Sequence, residues 1–127
     1  MDYGVTFERG TAVTYGDRRQ VYISGTASID AEGKVMHPGD VSMQARRMLE
    51  NISALLAEAG AKLKDIAMAV VYLRDAADYS IVRQIVADAC PDLNAVYVLA
   101  PVCRPAWLVE MECLALIPFN APEFRPF

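Results

Sequence analysis

The feature of this sequence that most constrains its fold is the small number of segments with helical periodicity. One runs from Asp40, a candidate N-cap, to Gly60, a candidate helix stop, with apolar residues at helical spacing between them. The second begins after Asp78 and ends before Pro91. We expect its inward face to consist of Ile81, Val82, Ile85 and Ala89.

The other apolar segments have the β-branched and aromatic composition of strands. They are residues 3–8, 11–15, 20–24, 67–74, 95–101 and 106–117. The order β-β-β-α-β-α-β-β predicts an α+β fold, with one mixed sheet and both helices on one face. Because two helices cover only one face of such a sheet, we expect the other face to meet a second subunit.

Length and charge exclude several classes of protein. With 127 residues the chain forms one domain, residues 1–127, and its 54% hydrophobic content favours a subunit interface. A net charge of −4 without a run of Lys or Arg lacks the electrostatic signature of nucleic-acid binding. No apolar run approaches the length of about 20 residues that a membrane span needs.

The cysteines and the histidine argue against a metal site. Cys90, Cys103 and Cys113 form no CxxC motif, and His37 is the only histidine, so the sequence predicts neither a metal nor another cofactor. An odd number of cysteines without a signal peptide indicates a reducing, cytoplasmic location.

The final strand segment, "VCRPAWLVEMECLAL" at residues 102–116, carries charged residues inside an apolar run. Burying Glu110 and Glu112 there is costly unless each carboxylate has a partner or a function. Glu110 suits a water-positioning acid/base, while Glu112, on the same strand face, could equally line a subunit axis. Arg104 could bind a substrate carboxylate through both guanidinium nitrogens, or pair with Glu110 or Glu112 for structural reasons only.

Four segments, taken in order and spacing, resemble the Rid family, the reactive intermediate deaminases. They are "YISGTASID", "GDVSMQARRMLENISALLAEAGAKLKDI", "VVYLRD" and "VCRPAWLVEME". The likeness extends from Arg9 to Ile117. It implies a chorismate mutase-like fold and a homotrimer with a site in each cleft between subunits. It also implies hydrolysis of enamines or imines to keto acids and ammonia. In the family an arginine holds the substrate carboxylate, and a glutamate on the last strand, here Glu110, positions water.

One departure from the archetype bears on the substrate. The position of the family's signature arginine falls on Ala95. The segments "ERGTAV", "SGTASI" and "CRPAWLVEME" are more similar to the C-terminal domain of chorismatases, which carry a Cys-Arg pair before the catalytic glutamate. That likeness implies a substrate-binding role for Arg104 and a place in the pocket wall for Cys103.

The remaining candidates each have a structural alternative. Arg9 could bind a carboxylate or be a solvated turn arginine. The turn formed by Ser24, Gly25 and Thr26 offers backbone N–H groups and hydroxyls to an anion, although such turns are common. Tyr72 could line the pocket or belong to the core. Arg74 could form an ion pair with Asp75 or take part in the site.

The sequence therefore favours a small hydrolase without a metal, acting on an enamine or imine of a small carboxylate metabolite. Water addition to a C=N carbon needs orientation, desolvation and a proton shuttle, which one glutamate and one arginine can supply. Two alternatives stay open: chorismatase-like hydrolysis of a cyclic enol ether, and a ligand-binding or regulatory trimer without catalysis. The alanine at position 95 favours the second of these somewhat.

Overall fold

The computed structural model describes residues 9–102 and 104–127. The predicted strand at residues 3–8 lies outside the described residues; the order of the other elements is confirmed. Two short 3₁₀ turns, Leu63–Asp65 and Ala76–Asp78, precede β3 and α2. The strands and helices are β1 (Gly10–Thr14), β2 (Arg18–Thr26), α1 (Val41–Glu58), β3 (Ile66–Leu73), α2 (Tyr79–Ala89), β4 (Ala95–Leu99) and β5 (Val109–Pro118).

The five strands form one mixed sheet in the order β1-β2-β5-β3-β4. Neighbouring strands are antiparallel, except that β3 and β4 are parallel and are connected through α2. The last strand in the sequence, β5, therefore lies at the centre of the sheet. This arrangement confirms the α+β class and the mixed sheet predicted from the sequence.

The boundaries of α1 follow from local signals. The carboxylate of Asp40 accepts a hydrogen bond from the backbone N–H of Met43 at 3.0 Å, which satisfies one of the unpaired amides at the helix start. Gly60, just beyond the helix, has φ +81°, a left-handed conformation that favours glycine. Both predicted ends of this helix are confirmed.

The start and the buried face of α2 differ from the prediction. Asp78 occupies the N-cap position without a side-chain capping bond, and Asp75 instead accepts from the N–H of Ala77 in the preceding 3₁₀ turn. Ile81 is 45% exposed, and Ala89 is exposed as well. The inward face of α2 begins at Val82, the residue after Ile81, which lies about 100° further around the helix axis. It consists of Val82, Ile85 and Val86.

The start of β5 also differs, because the strand begins at Val109 and not at residue 106. The backbone N–H of Trp107 donates to the carbonyl of Arg104 at 3.0 Å, so this residue belongs to a turn. Its indole ring packs in a small apolar cluster with Ala27 and Ile29. We refer to residues 102 and 104–108, which leave out Cys103, as the 102–108 turn.

Side chains of each strand alternate between two faces of the sheet. On β5, Val109, Met111, Cys113 and Ala115 are buried under the helices. Glu110, Glu112, Leu114 and Leu116 project from the opposite face, which we call the open face. Strand register places on it five large apolar side chains that are 37–61% exposed: Val13, Tyr22, Met68, Val96 and Leu116.

An apolar face that stays exposed among the described residues is the arrangement from which a subunit interface was predicted. The trimer itself stays a prediction. Within residues 9–102 and 104–127, neither helix combines the length and the apolar character that crossing a membrane requires.

Candidate functional site

Glu110 lies at the centre of the sheet with its carboxylate packed against Gly25. A Cβ atom built on Gly25 would lie 2.2 Å from Oε1 of Glu110 and 3.1 Å from Cδ. A side chain at this position would displace the carboxylate, so its close approach to the turn requires glycine here. The structure thereby brings the predicted acid/base and the predicted anion-binding turn into direct contact.

The turn at Gly25 is an irregularity in β2. The register between β2 and β5 shifts between Ile23 and Thr26, as a β-bulge does. Thr26 is only 1% exposed, and its hydroxyl donates to the carbonyl of Ser24 at 2.8 Å. Thr26 therefore shapes the turn through its hydroxyl, and its predicted role in binding an anion stays a prediction.

Arg9 is joined to the same turn. Its Nη1 donates to the carbonyl of Gly25 at 3.3 Å, and its own carbonyl accepts from the backbone N–H of Ser24 at 3.0 Å. The structure thus joins Arg9, Ser24 and Gly25 in one turn, against which Glu110 packs. A cation and a carboxylate held at the same turn suit a substrate that carries its own carboxylate.

Tyr72 and Glu112 form the second part of this region. Tyr72 lies opposite Glu110 in the register of β3 and β5, and its hydroxyl donates to Oε1 of Glu112 at 2.7 Å. This hydrogen bond, with desolvation and the negative charges of Glu112 and Glu110, raises the pKa of Tyr72. Glu112 therefore has a hydrogen-bond donor on the open face, the same face as Glu110, as predicted.

A shallow cavity of about 330 Å³ adjoins Glu112 on the open face. Its wall combines this carboxylate with apolar side chains of three neighbouring strands. The open-face residues that line it are Tyr22, Ser24, Met68, Val70, Glu112 and Leu114.

Arg104 lies in the 102–108 turn, as predicted. Its Nη1 donates to the carbonyl of Gly33, and its guanidinium carbon lies 5.3 Å from the centroid of the Trp107 ring. These contacts tie Arg104 to the loop that precedes α1, and a joint site of Arg104 with Glu110 stays a prediction. Cys103 lies outside the described residues.

Arg74 does not form the ion pair with Asp75 that was one of the two roles considered for it. Its Nε donates to the carbonyl of Trp107 at 2.9 Å, and its Nη2 donates to the carbonyls of Arg104 at 2.8 Å and Val102 at 3.2 Å. The guanidinium thus organises the 102–108 turn and does not pair with Asp75. No local signal in the sequence indicates this, because the partners lie about 30 residues away.

Gln44 is a second anchor that the sequence analysis missed. It is fully buried in α1, donates to the carbonyl of Ala106 at 3.0 Å and accepts from the N–H of Leu108 at 2.9 Å. A signal for it does exist, since an amide in the inward row of an amphipathic helix needs a buried partner.

The described thiols and possible metal ligands offer no further chemistry. No three His, Cys, Asp or Glu side chains of residues 9–102 and 104–127 are grouped closely enough to hold a metal ion. Cys90 and Cys113 are buried free thiols, and desolvation raises the pKa of Cys113 to about 12. A thiol with so high a pKa is a poor nucleophile at neutral pH.

Comparison with known proteins identifies the family. The model of the endoribonuclease L-PSP family matches residues 10–117. The chain belongs to this family, and the Rid-family membership predicted from the sequence is confirmed. The 3-aminoacrylate deaminase RutC of Acinetobacter baylyi is 35% identical over 97 residues, which cover 75% of this chain and 77% of RutC.

Two solved structures connect the fold to both predicted resemblances. RidA from the Antarctic bacterium Psychrobacter sp. PAMC 21119 superposes with a TM-score of 0.79 at 25% identity, over 90% of each chain. A chorismatase superposes with a TM-score of 0.78 at 26% identity, over 84% of this chain and 35% of the chorismatase. The chain thus resembles one part of that larger enzyme, as the segment likeness predicted.

Proposed function

We propose that this protein is a hydrolytic deaminase that converts an enamine or imine of a small carboxylate metabolite into the keto compound and ammonia. The observation that carries the proposal is the carboxylate of Glu110, packed on Gly25 at the open face with Arg9 joined to the same turn. The likeness to RutC, named a 3-aminoacrylate deaminase, supports this reaction class.

The proposed reaction needs one acid/base group. Glu110 orients a water molecule and accepts its proton as the oxygen adds to the C=N carbon. The protonated Glu110 then returns this proton to the nitrogen, which gives a carbinolamine. Glu110 next accepts the hydroxyl proton of the carbinolamine and passes it to the nitrogen, and ammonia leaves as the C=O bond forms. The net change is addition of one water and loss of one ammonia, so no oxidant or cofactor is required.

The two carboxylates of β5 have different surroundings, which supports assigning the proton transfer to Glu110. Glu112 accepts the hydroxyl hydrogen bond of Tyr72. Glu110 packs against Gly25, in the turn to which Arg9 also donates a hydrogen bond. We propose that Glu112 and Tyr72 contribute to the wall of the site.

Two arginines are proposed to hold the substrate carboxylate. The position of the archetypal arginine is Ala95, the first residue of β4, whose methyl group cannot bind an anion. Arg9, at the turn beside Glu110, and Arg104, in the 102–108 turn, are the proposed replacements. We propose that the cleft is completed between subunits of a homotrimer, because apolar side chains of the open face are exposed in the part of the chain that the structure describes.

The proposal is tested with imines formed in situ from amino acids by an amino-acid oxidase. The wild-type protein should accelerate keto-acid and ammonia release above the spontaneous rate. Glu110→Gln keeps the shape of the side chain, removes the proton shuttle, and should lower kcat by roughly 10²–10⁴-fold. The control Glu123→Gln, at an exposed position, should retain wild-type activity. Wild-type protein that does not exceed the spontaneous rate would contradict the deaminase proposal.

The likeness to a chorismatase over 84% of the chain favours a second candidate, hydrolysis of a cyclic enol ether. Release of pyruvate from chorismate, dependent on Glu110 and absent with imines, would support it. Thermal stabilisation by small keto acids without any turnover would instead support a ligand-binding trimer. We also propose a cytoplasmic location, which suits the free thiols of Cys90 and Cys113.

A further inference from the structure

The 102–108 turn is held by a guanidinium that approaches it from the end of β3. Arg74 donates to the carbonyls of Val102, Arg104 and Trp107 at distances of 2.8–3.2 Å. Its backbone N–H also donates to the carbonyl of Leu108 at 3.2 Å. A single residue thereby contacts both ends and the middle of the turn.

The bonding of Arg74 is unusual for a charged side chain. Its three side-chain acceptors are neutral carbonyl oxygens, and no described carboxylate forms an ion pair with it. Hydrogen bonds from a charged donor are stronger than those between neutral groups. The planar fork of arginine also reaches several acceptors in fixed directions, whereas a lysine ammonium is a point charge on a flexible stem.

The other anchors of the turn reach different parts of it. Gln44 contacts Ala106 and Leu108, close to the start of β5. The Arg104 side chain is tied to Gly33, but the backbone that carries it is held by Arg74. The position of the Arg104 backbone therefore depends on Arg74 more than on Gln44.

We propose that Arg74 is a positioning residue, which fixes the 102–108 turn and, through it, the place of the Arg104 guanidinium at the substrate carboxylate. The inference rests on the proposed function only for the role of Arg104. Arg74 itself does not contact the reacting atoms. It acts through the backbone of the turn.

The fluorescence of Trp107 can report whether the 102–108 turn is closed or open. Trp107 is the only tryptophan of the sequence, is 4% exposed, and its carbonyl accepts from Arg74. Opening of the turn would expose the indole ring to a soluble quencher such as acrylamide. Tryptophan fluorescence therefore measures the state of the turn with no substrate present.

The experiment compares wild type with Arg74→Lys and Arg74→Met, using Arg46→Lys, an exposed substitution on α1, as the control. We expect the acrylamide quenching constant to rise about twofold or more in both Arg74 variants, and most in the Met variant, because local opening exposes the ring. We expect KM to rise about tenfold, the effect of losing one charge-assisted hydrogen bond, with kcat nearly unchanged. The control should match wild type in both readouts.

Three outcomes would overturn the proposal: unchanged quenching in both variants, increased quenching with unchanged KM, or failure of both variants to fold. The last would make Arg74 a determinant of the whole fold and not of one turn. Failure of the proposed function is seen separately, as wild-type protein without turnover. In that event the quenching of Trp107 alone decides whether Arg74 fixes the turn.

Discussion

The two faces of β5 differ in what they contribute, although they belong to one strand of ten residues. On the helix-covered face, the residues from Val109 to Ala115 are 0–7% exposed and form part of the core. On the open face, the alternating residues include Glu110 and Glu112 among exposed apolar side chains. The comparison shows that strand alternation places core residues and the residues of the proposed site next to each other in the sequence, on opposite faces of the sheet.

The first prediction, which has the largest expected effect, tests whether other subunits cover the open face. Met68→Asp places a charge in the exposed apolar region of this face. If three copies bury it, an unpaired charge in the interface costs several kcal/mol, and association should weaken by about 10³-fold or more. Sedimentation equilibrium should give three times 13.9 kDa for wild type and a single chain for the variant. A wild-type protein that is monomeric at micromolar concentration would contradict the predicted trimer.

A second prediction compares packing on the two faces of β5. Met111→Ala leaves a cavity under the helices and should lower the free energy of unfolding by about 2–5 kcal/mol. Leu116→Ala, on the open face and 39% exposed, should cost less. Urea unfolding at one fixed protein concentration measures both values. Equal losses would show that the open face is packed as tightly as the covered one.

The third prediction compares alanine substitutions at Gly25 and Gly16, where the added Cβ atom would clash with different groups. In Gly25→Ala the three atoms nearest to the new Cβ belong to the side chain of Glu110, which should move aside. A displacement of about 1 Å at the reacting group costs on the order of 10²-fold in kcat, with little change in melting temperature. In Gly16→Ala the Cβ lies 2.5 Å from the backbone carbonyl of Phe124, so this variant should lose stability.

The readouts for the two glycine variants are turnover of the in situ imines per folded protein and thermal unfolding. We expect Gly25→Ala to lose activity but keep its stability, and Gly16→Ala to lose stability. Unchanged kcat in Gly25→Ala would contradict a catalytic role for the carboxylate in its present position.

Much of the fold was predictable because its signals are local. Asp40 and Gly60 define α1 through bonds and a backbone conformation that involve only neighbouring residues. The alternation around Met111 likewise predicted that Glu110 and Glu112 share a face. Ile81 was misplaced because a 3₁₀ turn before α2 sets which residues of that helix face inward.

The candidate site was less predictable because its contacts join distant segments. The role of Gly25 depends on a carboxylate from another strand, and the bulge that buries Thr26 arises only when β2 pairs with β5. From the sequence alone Arg74 is expected to be a surface residue. In the structure it donates to carbonyls that lie 28–33 residues further along the chain. Neither spacing nor composition encodes such tertiary contacts.

The central place of β5 has a consequence for synthesis on the ribosome. Until residues 109–118 have emerged, the β1–β2 hairpin and the β3–β4 pair have no strand to join them, and β2 and β3 each keep an unpaired edge. Unpaired edges with apolar side chains are sites of aggregation in nascent chains. The sheet is completed late, when β5 pairs with β2, a strand far from it in the sequence. Pairing between distant segments is slow. A chaperone that covers the nascent chain would have its main effect in this interval.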